Sequence, residues 1–199
     1  MKSTRRLVAA ACLVLLCVAA QAGAQTIWGT STATLSDDPE FEGYWQYCLD
    51  IEWDTTGVGG SGMSHVSFFL GLGTCVCACD EGYFAFADTA GSGPGVGGCT
   101  VYYYGLFECY GDPTIPESDG PTVMFEAYDA ACEPDAIGTA HLCFYSIFPP
   151  TEPGTFIDAL GVKAGGETDV GELVGVLPLC ECGSPVDDFS WGVIKSLYR

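Results

Sequence analysis

The segment YWQYCLDIEWD, residues 44–54, alternates large apolar side chains with polar ones at every second position. In an extended chain Trp45, Tyr47, Leu49, Ile51 and Trp53 fall on one side, and Gln46, Cys48, Asp50, Glu52 and Asp54 on the other. That period suits a strand with one dry and one wet face and matches no helix. SHVSFFLGL is apolar on both faces and predicts a more deeply buried strand. Further strand candidates are GYFAFAD, CTVYYYGLFECYG, TVMFEAYDA, AHLCFYSIF, FIDALGVKA and ELVGVLPLCEC. Between them lie clusters rich in Gly, Pro and Asp, including GSGPGVGG and GDPTIPESDGP, which read as turns and loops. Short strands so punctuated predict an all-β domain, an antiparallel β-sandwich of jelly-roll or immunoglobulin-like type.

The first residues explain how so loop-rich a domain is held together. Lys2, Arg5 and Arg6 precede an apolar run from Leu7 to Ala20, followed by Ala22 and Ala24 at signal-peptidase spacing. This predicts a signal peptide over residues 1–24, a β-domain over 25–182, and a linker with a C-terminal tail over 183–199. The apolar run is shorter than the roughly 20 residues that cross a bilayer as a helix, so no integral membrane segment is expected in the mature chain. The expected location is secreted, outside the cell or at its surface, with the periplasm as the other exported compartment.

Of the 12 cysteines, Cys12 and Cys17 lie in the signal. Ten remain: Cys48, Cys75, Cys77, Cys79, Cys99, Cys109, Cys132, Cys143, Cys180 and Cys182. An even number in an exported chain reads as a disulfide framework whose connectivity the sequence leaves open. Cys75, Cys77 and Cys79 alternate, so on a strand they share one face about 7 Å apart and pair with neighbouring elements rather than with each other. The alternative is a thiolate metal site built from these three with Cys180 or Cys182, although the usual C-x-x-C spacing is absent.

Charge excludes several partners. All 26 acidic residues follow the signal and meet only Lys163, Lys195 and Arg199, a formal charge of −23 for the mature chain. Such a surface repels nucleic acid, anionic lipid and polyanionic sugars.

Three groups are candidate sites. Asp50, Glu52 and Asp54 share the wet face of one strand, where Ca²⁺ would relieve their repulsion. Tyr102 and Tyr104 fall on one face of VYYYGLFECYG, with Tyr103 on the other, and an exposed tyrosine face could stack sugar rings. In the tail, Trp191, Lys195 and Arg199 mark a segment that either docks on the domain or serves as an address for surface-attachment machinery. His65 and His141 lie inside apolar strands, where histidine is more often hydrogen-bonded within a fold than catalytic, and no G-x-S-x-G elbow is present.

The stretches YWQYCLDIEW, MSHVSFFLGL and GVKAGG, in that order, resemble a loose group of secreted bacterial β-sandwich proteins of uncharacterised activity. The resemblance covers about a quarter of the chain and implies an extracellular sandwich, with no activity to carry over. The resulting expectation is an acidic, disulfide-rich module with a non-catalytic structural or binding role and no cofactor beyond a candidate Ca²⁺. The alternatives are a Ca²⁺-dependent carbohydrate-binding module or hydrolase, and a thiolate metal-binding protein.

Overall fold

The computed structural model describes residues 26–57, 62–70, 82–118, 120–128 and 131–180. The expected signal, Cys75, Cys77, Cys79, Cys182 and the tail with Trp191, Lys195 and Arg199 lie outside these residues. The described strands are β1 Ile27–Leu35, β2 Trp45–Asp54, β3 Met63–Phe69, β4 Phe84–Ala85 and β5 Gly91–Pro94. They continue with β6 Thr100–Glu108, β7 Thr122–Ala127, β8 Ile137–Ser146, β9 Gly154–Ala164 and β10 Glu167–Gly175. The only described helices are single 3-10 turns, Pro39–Phe41 and Val96–Gly98.

The strands form one sheet in the order β2-β1-β10-β9-β3-β7-β6-β5-β8, with the two-residue β4 added to β8. β8 then pairs back onto β2 along its whole length, from Trp45 opposite Ser146 to Asp54 opposite Ile137. The fold is therefore a closed nine-strand barrel. This corrects the expectation of an antiparallel sandwich. A strand with one dry and one wet face has the same alternation whether its dry face meets a second sheet or a barrel lumen. The pairing that decides between them, β2 with β8, joins residues about a hundred positions apart and leaves no local trace. One neighbour pair is also parallel, β1 with β10.

The lumen is filled by inward side chains. Tyr47, Leu49, Ile51 and Trp53 of β2 are buried, as their alternation predicts, and they meet Phe68, Phe125, Leu142 and Phe144. The Tyr47 and Phe144 rings stack with centroids 5.2 Å apart. Buried polar ends find partners: Tyr47 donates to the Phe148 carbonyl and Trp53 to the Asp135 carbonyl, each at 2.9 Å. Tyr103 points inward and its hydroxyl has no partner, the one such buried side-chain atom among the described residues. Burial raises its pKa.

Two strands were not anticipated. β1 escaped notice because its inward residues include the small Gly29, Ser31 and Ala33, which blunt the apolar alternation. β5 lies in GSGPGVGG, which reads as a loop. It is a strand because glycine lets it approach β8 closely: a Cβ on Gly91 would sit 2.0 Å from the His141 carbonyl oxygen, and one on Gly93 would sit 2.3 Å from that of Thr139.

Two disulfides lie within the described residues. Cys48–Cys143 spans the β2–β8 seam, with Cα atoms 4.2 Å apart, and Cys99–Cys132 ties the start of β6 to the segment before β8. Cys109 and Cys180 are also disulfide-bonded. By loop length, the seam bond, closing 95 residues, would contribute up to about 4 to 5 kcal/mol. No described helix is long and apolar enough to cross a membrane.

Candidate functional site

Registers across β10, β1, β2, β8 and β5 build a groove on the outside of the barrel. In one row Trp28 of β1 stands between Glu172 of β10 and Glu52 of β2, and Glu52 is opposite Thr139 of β8. In the next row, Val174, Thr30, Asp50, His141 and Ser92 follow one another across the same five strands. Outward side chains from these rows line a cavity of about 540 Å³, a size that suits a small ligand or a few units of a polymer. Its polar walls are three carboxylates, one imidazole and several hydroxyls. Its apolar surface is supplied mainly by Trp28, Pro94 and Val174. No Lys or Arg lines it, and Lys163 is the sole basic residue among those described.

His141 is held by the carboxylate beside it: Nδ1 lies 2.7 Å from Asp50 Oδ1, and both side chains are more than half exposed. Nε2 faces Cys143 Sγ at 3.4 Å. Ser92, His141 and Asp50 occur on one rung in the order of a charge-relay triad. Yet Nε2 is turned to sulfur and Ser92 makes no hydrogen bond to it, so the row lacks the nucleophile–base contact such chemistry requires.

A second histidine–aspartate pair lies elsewhere on the barrel wall. His65 of β3 meets Asp112 at 2.8 Å under the loop that follows β6. Ser67 donates to the same Asp112 oxygen at 2.7 Å, while Thr114 donates to the other through its amide and hydroxyl. Burial pushes the Asp112 carboxyl upward, but these hydrogen bonds and His65 outweigh it and leave its pKa below the usual carboxylate range. His65, Ser67 and Asp112 are all buried. Ser67 donates to the carboxylate rather than the imidazole, the Thr114 hydroxyl also lies 3.2 Å from His65 Nε2, and the cluster clamps the loop to β3.

The remaining candidates separate. Asp50, Glu52 and Asp54 do share the wet face of β2, and two of them enter the groove. Asp54 instead turns to Thr56, whose hydroxyl and amide hold its carboxyl below the usual range. The three do not converge: the one group of metal-ligating atoms found together among the described residues is Cys48, His141 and Cys143. Tyr102 is exposed on β6 opposite Ser92, beyond the groove wall. Tyr104 also faces outward, but its hydroxyl donates to Glu126, which raises its pKa, and its ring packs edge-on against Tyr128. Trp28, Glu172 and His141 were missed as site residues because their proximity depends on registers between distant strands. The available clue was a tryptophan on the wet side of a Thr-rich segment.

No family model matches the chain, and no curated protein does. Among solved structures it is similar to a family IIIA CBD from Clostridium cellulolyticum, with 10% identity and a TM-score of 0.38 over 76% of this chain and 99% of that one. At that level of likeness, the site stands on its own geometry.

Proposed function

We propose that the protein is an exported, acidic, disulfide-stapled barrel with a non-catalytic binding role outside the cell or on its surface, and that the groove receives a cationic ligand. The observation that carries this reading is the row Glu172–Trp28–Glu52, with Asp50 beside it and no Lys or Arg along the walls. Carboxylates without basic partners attract cations, and an indole face adds cation–π attraction for an ammonium group. Export is supported by the disulfides, which persist in oxidising compartments. A non-catalytic role is supported by the surroundings of both histidines: His141 Nε2 is turned to Cys143 Sγ, and His65 and the Thr114 hydroxyl beside it are both tied to Asp112.

The test is a calorimetric titration with fully deacetylated chitosan oligomers, using neutral cello-oligomers as control. The expected result is saturable binding of the cationic oligomer that weakens with salt and falls at least about tenfold in Trp28→Ala and in Glu52→Gln. Equal binding of the neutral oligomer, or an unchanged titration in both variants, would overturn the groove reading.

A further inference from the structure

At the edge of the groove, β2 and β8 place Cys48 opposite Cys143 and Asp50 opposite His141. Alternate residues of a strand share a face, so all four side chains project outward as one square. The two sulfurs and a ring nitrogen of His141 lie within 4.8 Å of one another. When His141 Nδ1–H donates to Asp50, Nε2 carries the lone pair, and Nε2 is the atom 3.4 Å from Cys143 Sγ. A carboxylate that orients an imidazole in this way is the usual outer support of a histidine that binds metal.

The sulfurs are bonded to each other, so this form offers no thiolate. We propose that Cys48, Cys143 and His141 form a redox-gated site for a soft divalent cation of the zinc class, latent while the disulfide stands and created when an external dithiol opens it. In that step, the dithiol delivers two electrons and two protons to the Cys48–Cys143 bond, giving two cysteine thiols and the dithiol's own disulfide. Zn²⁺ then binds without changing its oxidation state, and the two thiol protons pass to water.

The geometry needs little adjustment. Zn–S bonds of about 2.3 Å and Zn–N bonds of about 2.0 to 2.1 Å put neighbouring ligand atoms of a tetrahedral site about 3.5 to 3.8 Å apart. Nε2 and Cys143 Sγ are already near that spacing, so the principal motion is separation of the two sulfurs. The backbone ladder of β2 and β8 continues to both sides of the cysteines and holds the strands in register after the bond opens. Asp50 and His141 are exposed, which gives the dithiol access and leaves a fourth coordination position toward solvent.

The test uses Co²⁺ as a spectroscopic stand-in for Zn²⁺, added anaerobically to the protein before and after dithiol treatment. The expected result is a thiolate-to-cobalt charge-transfer band only after reduction. That band would lose one equivalent in Cys48→Ser/Cys143→Ser, with affinity falling at least about tenfold in His141→Ala and in Asp50→Asn. Cobalt spectra unchanged in the double-serine variant would assign the ligation to other cysteines and overturn the proposal. A second arm needs no reductant: Cys48→Ser leaves Cys143 free beside His141. Zn²⁺ should slow alkylation of Cys143 at least about tenfold in that variant and have no effect in Cys48→Ser/His141→Ala. Equal alkylation rates with and without Zn²⁺ in Cys48→Ser would overturn the site even if full reduction unfolds the barrel.

Discussion

The barrel carries two histidine–aspartate pairs of almost the same length, 2.8 Å for His65–Asp112 and 2.7 Å for His141–Asp50, in opposite surroundings. The first has side chains 5% and 1% exposed, the second 59% and 71%. Under the loop after β6, every donor near Asp112 is used, and the pair fastens chain to chain. On the seam, the same two side chains are left with open surface beside a cavity and a disulfide. Contact distance alone does not separate a structural pair from an available one. Burial and the number of further partners do.

The comparison can be broken most directly by removing each carboxylate. Asp112→Ala leaves His65, Ser67 and Thr114 without their shared acceptor in a buried site, and is expected to cost about 3 to 5 kcal/mol in urea unfolding of the disulfide-intact protein. Asp50→Ala removes an exposed pair and should cost less than about 1 kcal/mol; similar losses in the two variants would erase the distinction. Trp28→Ala sharpens the contrast from the groove side. Cationic-oligomer affinity should fall by about 1.4 kcal/mol or more, the equivalent of tenfold, while the urea midpoint stays close to the parent.

Tyr103 supplies a smaller test of the same principle, since its buried hydroxyl lacks the partners Asp112 has. Tyr103→Phe is expected to stabilise the barrel by about 1 kcal/mol, and a loss of stability would show that the hydroxyl is satisfied in solution. The smallest expected effect is on pH dependence. Because the Asp112 pKa is lowered on folding, its contribution is complete above the unfolded value of about 3.9 and disappears as pH falls through the folded one. Asp112→Asn should therefore flatten the acid limb of the stability profile measured by urea unfolding.

Much of the local structure was legible in the residues. The period of Tyr44–Asp54 placed each side chain of β2 on its observed face, and the doubly apolar SHVSFFLGL is buried over its described residues 65–70, with His65 and Ser67 bonded to Asp112 of the loop after β6. The even cysteine count anticipated disulfides without their pairs, because pairing is fixed by which strands become neighbours. Barrel closure, the parallel β1–β10 pair and the groove were illegible for the same reason. Trp28, Glu52 and Glu172 lie far apart in the chain and become one row through two registers. The glycines of β5 hid a strand because their value lies in the atoms they lack, which only the neighbouring His141 and Thr139 carbonyls reveal.

The parallel pairing of β1 with β10 also limits when the barrel can close. β1 lies between β2 and β10, so the first described strand keeps one open edge until the last described one has formed. Contacts between residues so far apart in sequence slow folding, since a long loop must close before they contribute. A barrel completed by so late a strand stays unclosed until that part of the chain is available to fold. The wall whose last gap admits β10 is the same one that carries Trp28, so the groove comes into existence only when β10 is in place.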